Sequence, residues 1–220
     1  MKIALFDQHT DKLLPLCYTR PSGDIRVGIL TNAEKWELRG HDLSFIAQEH
    51  LREIFPLSEA RSDCYLDGRA LYSPALEQAI KALENQEALY FQDTIIAFKA
   101  ESYNLENATH FKRKELDSFS IVQRPYDVFQ MADQEIRADY NALTKGRTSA
   151  AIPEGVHCQG SDIFIEEGAS IPLASLNSTK GPIYLAKDSE VMEGCMIRGP
   201  FALGENSVVK MGAKIYGATS

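Results

Sequence analysis

The sequence predicts an α/β domain over residues 1–150, followed by a short parallel β-helix over residues 151–220. Two observations carry this prediction. Strand-like and helix-like patterns alternate through the first 150 residues, as in domains built on a mostly parallel or mixed sheet. From Leu185 the chain then repeats every six residues, a period that matches one face of a three-sided parallel β-helix and neither a helix nor an alternating strand.

The elements of the first domain are predicted from short apolar runs and from capping residues. The predicted strands are KIALF, CYLDGRAL running into a loop, ALYFQ and TIIAFKA on either side of a turn at Asp93, and the short SIVQRP. Two helices are expected over residues 25–39, closed by Gly40, and over residues 45–55. Ser73 and Pro74 form the start of a third helix that ends near Leu83, and Asp133 is the expected N-cap of a fourth.

An aliphatic residue opens each of the six hexads of the repeat. The openers are Leu185, Val191, Ile197, Leu203, Val209 and Ile215. We expect them to fill the interior, with the small residues at the fifth place of each hexad packed beside them. A stacked repeat leaves its last interior layer open unless something covers it. The sequence therefore predicts either cover by another subunit or continuation in a longer chain, and the second is favoured.

The composition is that of a globular protein with a net negative charge. The 31 Asp and Glu outnumber the 23 Lys and Arg, which gives a net charge of −8 and argues against a general nucleic-acid binder. No segment approaches the roughly 18 apolar residues of a membrane helix, and the first apolar run is too short for a signal peptide. We therefore expect a cytoplasmic protein. The four cysteines show no CxxC pairing and are expected to be reduced.

The stretch KLLPLCYTRPSGDIRVGIL, residues 12–30, follows the first predicted strand and is basic. Its cations are Lys12, Arg20 and Arg26. In α/β sheets ligands bind beyond the carboxyl ends of the strands, which groups this loop with Asp67 and Arg69 after CYLDG. Because guanidinium forks match phosphate oxygens, the group predicts an anion site. The alternative for a single arginine is a surface ion pair, for which Asp24 is a nearby acid.

Four stretches together resemble one family along nearly the whole chain. They are KLLPLCYTRPSGDIRVGILTNAEKWE, CYLDGRAL, RPYDVFQ and IRGPFALGENSVVKMGAKIYGAT. The chain resembles, in a divergent form, the sugar nucleotidyltransferase-like proteins of the bacterial N-acetylglucosamine-1-phosphate uridyltransferase/glucosamine-1-phosphate acetyltransferase type. The resemblance implies a nucleotidyltransferase-like (Rossmann-like) α/β domain followed by a left-handed parallel β-helix, which is longer in the family than here.

The resemblance also implies a reaction, partners and site residues. The reaction is nucleotidyl transfer from a nucleoside triphosphate such as UTP to a sugar-1-phosphate, with release of pyrophosphate and UDP-N-acetylglucosamine as the default product. The implied roles are Arg20 as catalytic residue, Lys12, Arg26 and Arg69 as phosphate contacts, Gly28 as a point of close backbone approach to the nucleotide, and Asp67 as ligand of Mg²⁺, with Asp7 and Asp93 as weaker candidates. We expect self-association through the β-helix and no acetyl transfer, because the acetyl-CoA sites of such proteins lie on later coils.

Two departures from the family pattern leave a second interpretation open. The conventional enzymes carry a glycine-rich loop after the first strand, whereas this chain has FDQHTDKLLPL there and its first glycine is Gly23. The corresponding strand of the conventional enzymes ends in Gly-Asp, whereas here the order is Asp67-Gly68-Arg69, so that Arg69 stands where the metal-binding aspartate would be. The alternative is a non-catalytic sugar-nucleotide-binding or assembly module. A structural assembly driven by the β-helix is a third interpretation.

Overall fold

The computed structural model of the protein describes residues 1–56, 62–116 and 118–220. The chain divides into two compact units, one of Met1–Arg26 and Leu30–Asp127, the other of Val27–Ile29 and Val128–Ser220. This division groups the helix after residue 127 with the second unit. The expected domain boundary near residue 150 stays a prediction.

The first unit is built on a six-stranded mixed sheet. Its strands are β1 (Lys2–Phe6), β2 (Asp42–Ile46), β3 (Cys64–Asp67), β4 (Glu87–Phe91), β5 (Thr94–Lys99) and β6 (Lys112–Glu115). They lie in the order β2-β1-β3-β5-β4-β6, with β1 parallel to β2 and β3, and β5 antiparallel to β3 and β4. The strands predicted at KIALF, CYLDG, ALYFQ and TIIAFKA are thereby confirmed.

Side chains of β1 divide between two apolar clusters, because successive residues of a strand point to opposite faces. Ile3 and Leu5 belong to one cluster, and Ala4 and Phe6 belong to the other. All four are at most 2% exposed. Both faces of the sheet are therefore covered at β1, and the polar residues that follow the strand emerge at its end.

The described residues also form four α-helices: α1 (Asn32–Glu37), α2 (Pro74–Lys81), α3 (Leu105–Ala108) and α4 (Asp127–Thr144). Helix α2 begins as predicted, with the Ser73 hydroxyl accepting a hydrogen bond from the backbone N–H of Leu76 at 3.1 Å and Pro74 at the first position. The helix predicted over residues 25–39 is much shorter. Thr31 and Glu34 form a capping box that starts α1 at residue 32, because each side chain accepts the other residue's backbone N–H.

Three other sequence predictions for this part of the chain are wrong. Residues 45–55 are not a helix: β2 pairs in parallel with β1, and only a short 3-10 turn follows at Glu49–Leu51. The sheet pairing outweighs the local helical pattern. The strand predicted at SIVQRP is reduced to a single bridge between Ile121 and Ala70. The fourth helix begins at residue 127, so Asp133 lies inside it and is not its N-cap.

The second unit consists of α4 from Val128 onward and of short parallel strands. These are β7 (His157–Gln159), β8 (Ile163–Ile165), β9 (Ser175–Asn177), β10 (Ile183–Leu185), β11 (Glu190–Val191), β12 (Met196–Arg198), β13 (Phe201–Leu203), β14 (Val208–Val209) and β15 (Lys214–Ile215). They form three separate stacks, β13-β10-β8, β11-β14 and β15-β12-β9-β7. In each stack a pair of strands is offset by 18 residues, or three hexads, as in the pairs Ile183–Phe201, Glu190–Val208 and Met196–Lys214.

The hexad openers lie in one apolar cluster, as the repeat predicts. Leu185 and Val191 are fully buried, Ile197, Leu203 and Val209 are at most 9% exposed, and Ile215 is half-buried. The four cysteines, all among the described residues, form no disulfide. Within the described ranges no helix is both long enough and apolar enough to cross a membrane.

Candidate functional site

A cavity of about 110 Å³ lies at one edge of the six-stranded sheet. The parallel strands β1 and β3 both end at this edge. Since β5 runs antiparallel to β3, it begins there, directly after the turn that follows β4. In α/β sheets the edge formed by the carboxyl ends of parallel strands is the usual place for ligands, and the residues after these strands line the cavity.

The lining of this cavity is cationic and rich in hydrogen-bond donors. The lining residues suited to anions are Lys12, Arg69, Arg124, His9, Gln92 and Gln123. None of the described residues that line the cavity is an Asp or a Glu. Two of the predicted phosphate contacts, Lys12 and Arg69, are thus brought together, and Arg124 joins them.

The two exposed cations, Lys12 and Arg124, stand on anchored backbone. Lys12 belongs to a 3-10 turn, Thr10–Leu13, whose last residue is fully buried. The backbone N–H of Arg124 donates to Oδ2 of Asp127 at 2.8 Å, which ties the segment to the first residue of α4. No ion pair of either side chain is recorded among the described residues, so both charges are available to a ligand.

Within the described ranges Arg69, unlike Lys12 and Arg124, forms an ion pair with a buried carboxylate. Asp67 at the end of β3 is fully buried, and Arg69 is 4% exposed. The Nη2 of Arg69 lies 2.7 Å from Asp67 Oδ2, and its Nε and backbone N–H both donate to Oδ1, at 3.1 and 3.0 Å. The Nη1 of Arg69 has no hydrogen-bond partner among the described residues, so the guanidinium is oriented and still has donors to offer.

The predicted magnesium ligands do not form a site that fits the ion. Both oxygens of Asp67 accept hydrogen bonds from Arg69, and Oδ2 also accepts one from the side-chain amide of Gln8 at 2.6 Å. Asp7 Oδ1 accepts the backbone N–H and the hydroxyl of Ser22 at 2.8 and 2.7 Å. Asp93 is fully exposed and lies 3.6 Å from Arg113. No group of three or more His, Cys, Asp or Glu suited to a metal occurs within the described ranges.

Burial changes the acid–base properties of Asp7 and Cys17. It raises the pKa of Asp7, and the negative charge of Asp67 adds to the effect, while the hydrogen bonds from Ser22 and the backbone of Gln48 oppose it. Burial likewise raises the pKa of the Cys17 thiol to about 11, with the charge of Asp7 contributing. A thiol with this pKa stays protonated near neutral pH, so Cys17 is a poor nucleophile.

The remaining basic residues of the predicted anion site form local ion pairs. Arg20 lies 3.9 Å from Asp24, which is the surface pairing that was the alternative interpretation. Arg26 lies 3.2 Å from Glu34. Neither arginine is among the described residues that line the cavity with Lys12 and Arg69.

The backbone at Gly28 lies close to helix α4. Its φ of +90° is in the left-handed region, and a Cβ built on it would lie 2.7 Å from Oδ2 of Asp139 and 2.8 Å from the carbonyl carbon of Glu135, both on α4. The next backbone N–H, of Ile29, donates to Asp139 at 3.0 Å. The glycine is therefore needed for packing on α4, whether or not a nucleotide also approaches it.

The sequence-based reasoning missed Arg124, His9 and Gln123 as site residues. A signal for Arg124 was present, because it opens RPYDVFQ, one of the stretches that carry the family resemblance. Nothing in the local sequence places it beside Lys12, which is more than 100 residues away in the chain. His9 lies between β1 and the 3-10 turn Thr10–Leu13, and its φ of 52° is in the left-handed region.

Comparison with protein families decides the classification. The sugar nucleotidyl transferase family matches residues 3–148, about two thirds of the chain. The chain belongs to the sugar nucleotidyl transferase family. A search of curated proteins found no match. Membership in this family indicates a transferase that acts in nucleotidyl transfer with nucleotide and sugar phosphate substrates, and members commonly use Mg²⁺.

A larger cavity, of about 430 Å³, lies on the second unit. It is partly apolar, with Met196, Ile197 and Tyr216 beside the cations Arg198 and Lys214. These residues fall outside the part that matches the sugar nucleotidyl transferase family. The lining residues of the smaller cationic cavity all fall inside the matched part.

Proposed function

We propose that the chain is a sugar-1-phosphate nucleotidyltransferase that joins a nucleoside triphosphate to a sugar-1-phosphate, with UDP-N-acetylglucosamine as the default product. The observation that carries this proposal is the family match over residues 3–148. The cationic cavity at the sheet edge supports it, because the two substrates are both anions. The nucleotide and the sugar are taken from the family resemblance.

The proposed reaction needs positioning and charge stabilisation more than covalent help from the protein. A phosphate oxygen of the sugar-1-phosphate attacks the α-phosphorus of the nucleotide. The bond from the α-phosphorus to the bridging oxygen breaks, and its electron pair leaves with pyrophosphate. Negative charge grows on the leaving group, and the donors of Lys12 and Arg69 are suited to stabilise it.

Lys12 and Arg69 are the predicted site residues that the geometry supports best, and Arg124 is added to them. The roles of Arg20, Arg26 and Gly28 stay predictions. The role of Asp67 as a metal ligand is implied by the family resemblance alone. The geometry does not support it, because Arg69 and Gln8 already donate hydrogen bonds to its oxygens. No step of the proposed reaction is assigned to Mg²⁺.

We also propose a nucleotidyltransferase domain over residues 1–150 and a left-handed parallel β-helix over residues 151–220. The end of the family match at residue 148 supports this boundary. The offset of 18 residues between paired strands supports three hexads per coil. Self-association through the β-helix is part of the proposal, supported by large apolar side chains that are exposed there, such as Met196, Met211 and Tyr216. Sedimentation equilibrium tests it, and a monomer at all concentrations would refute it.

Pyrophosphate release tests the proposed activity directly. The purified chain is incubated with UTP and N-acetylglucosamine-1-phosphate, and then with a panel of other nucleoside triphosphates and sugar-1-phosphates, with and without MgCl₂. We expect turnover with at least one pair. Failure of every pair, with a folded protein, would refute the proposed activity.

A non-catalytic sugar-nucleotide-binding module is the second candidate, and the engagement of Asp67 by Arg69 favours it. It predicts thermal stabilisation by nucleotide sugars without turnover. At a free ligand concentration of about 100 Kd the free energy of unfolding would rise by about 2.7 kcal/mol. Stabilisation together with turnover supports the enzyme, whereas stabilisation alone supports the binding module.

A further inference from the structure

The hydrogen bonds to Asp67 leave its carboxylate no capacity for a divalent cation. Four N–H groups donate to its two oxygens, three of Arg69 and one of Gln8, and the Nε–H of Arg69 is shared between both oxygens. A carboxylate offers about four lone-pair positions, so these donors saturate it. Displacing Arg69 to admit a metal would leave a buried guanidinium without its counter-charge, which is strongly unfavourable.

The free oxygen of the neighbouring carboxylate does not replace Asp67 as a ligand. Asp7 Oδ2 is buried and has no hydrogen-bond partner at normal distance among the described residues. Mg²⁺ requires near-octahedral oxygen coordination and usually keeps several waters. A single oxygen without access to solvent does not meet that requirement. The cation that stands beside these carboxylates is the guanidinium of Arg69 itself.

The positive charge that an anion would meet comes from three side chains with different roles. Arg69 is balanced by Asp67 and offers oriented donors. Lys12 and Arg124 are exposed, and no carboxylate is recorded as their partner among the described residues, so they supply the net charge. Such an arrangement offers positive charge to a small anion without a metal ion.

The volume of the cavity limits what it can hold. Sites for drug-sized ligands are roughly 300–1,000 Å³, whereas this cavity is about 110 Å³. A cavity of this size does not enclose a whole nucleoside triphosphate or a whole sugar-1-phosphate. One or two phosphoryl groups are the chemical class that matches both the size and the charge.

We propose that this cavity is a pyrophosphate subsite that binds its anion without a divalent cation, through Arg69, Lys12 and Arg124. The inference rests on the proposed function for the identity of the anion as the leaving group of nucleotidyl transfer. The same subsite holds the two terminal phosphoryl groups of the nucleotide before the reaction. In this site Arg69 takes the part that a metal ion plays elsewhere.

The test is isothermal titration calorimetry of the full chain with sodium pyrophosphate, in EDTA and separately in MgCl₂. We expect binding in EDTA that is no weaker than in MgCl₂, because Mg²⁺ neutralises part of the anion's charge. Sodium orthophosphate is the second arm and is expected to bind more weakly, because a single phosphoryl group meets fewer of the three cations. Orthophosphate binding as tight as that of pyrophosphate would overturn the assignment to pyrophosphate.

Two variants and one control connect the binding to the cavity. Lys12→Gln and Arg124→Gln change exposed side chains, so the fold is expected to persist, which circular dichroism checks. Each should weaken pyrophosphate binding in EDTA by about tenfold or more, the loss of a charge-assisted hydrogen bond. Lys187→Gln, an exposed lysine of the second unit, should change it by no more than about twofold. Unchanged binding by both cavity variants would overturn the inference.

The outcomes separate this inference from the proposed function. Binding that appears only in MgCl₂, or in neither condition, would overturn the metal-independent subsite, while turnover in the pyrophosphate-release assay would still support the proposed activity. Binding in EDTA that both cavity variants weaken, without turnover for any substrate pair, would refute the proposed activity and support the subsite.

Discussion

The Nη2 of Arg69 lies 2.7 Å from Oδ2 of Asp67, and the two side chains are 4% and 0% exposed. The pair closes the end of β3, where the family resemblance leads one to expect a metal-binding aspartate. An oriented guanidinium, that of Arg69, therefore lies where a metal ion would be expected.

Loss of one partner of this pair should be costly. We expect Asp67→Ala to lower the free energy of unfolding by about 3–5 kcal/mol, because it leaves a buried guanidinium without a counter-charge. Urea unfolding followed by circular dichroism measures the change. The control is Asp93→Ala, whose exposed carboxylate lies 3.6 Å from Arg113 and is expected to contribute far less to stability. An equal loss of unfolding free energy in the two variants would contradict the stabilising role of the buried Asp67–Arg69 pair.

Gly28 and Gly40 form a matched pair for testing the packing on α4. Both have positive φ, +90° and +82°, but a Cβ on Gly28 would meet Asp139 at 2.7 Å, whereas nothing lies within 4 Å at Gly40. Gly40→Ala should therefore cost only the backbone strain, about 1–2 kcal/mol. Gly28→Ala should lower the free energy of unfolding by clearly more. Thermal unfolding of both variants checks the order, and a larger effect at Gly40 would show that Gly28 does not pack on α4 as described.

Acid stability should depend on Glu77. The hydrogen bond from Lys81, at 2.6 Å, holds the pKa of Glu77 at about 2, below its ordinary value of 4.5, with the Tyr72 hydroxyl and His41 contributing and burial opposing. Because the folded-state pKa is the lower one, this stabilisation is complete above about pH 4.5 and is lost as the pH falls towards 2. Glu77→Gln should flatten the profile of unfolding free energy in that window.

The measurement for Glu77 is urea unfolding at intervals between pH 2 and pH 6. Glu106→Gln on α3 is the control, since its side chain is exposed. An unchanged pH profile for Glu77→Gln would contradict the assignment.

The steady-state kinetics of three basic residues should separate the cavity from the local ion pairs. We expect Lys12→Gln to lower kcat/KM for nucleotidyl transfer by about tenfold or more, because it removes a charge that acts on the leaving pyrophosphate. Arg26→Gln should have a smaller effect, since this side chain lies 3.2 Å from Glu34 and is not among the described residues that line the cavity. Lys187→Gln serves as the surface control. A larger loss of kcat/KM for Arg26→Gln than for Lys12→Gln would contradict the cavity as the site and would support the site predicted from the sequence around Arg20 and Arg26.

Much of the architecture could be predicted from local patterns. Ser73 and Pro74 mark the start of α2 by capping and by the fixed φ of proline, effects that need no distant partner. The burial of Leu185 and Val191 follows from the hexad repeat, because a strict period reports which residues share one face. The candidate site was predicted in part, since Lys12 and Arg69 follow strands that end at one edge of the sheet.

Only the tertiary structure decided the rest. Residues 42–46 form β2 because β1 offers a strand edge on that side, a partner that no local helical pattern reveals. Arg20 carries the same charge as Lys12, yet it lies beside Asp24 and Lys12 lines the cavity with Arg124. The sequence determines which residues carry charge and which segments form regular structure. Which charges meet depends on the order of the strands and on the paths of the loops between them, and these are set by contacts between residues far apart in the chain.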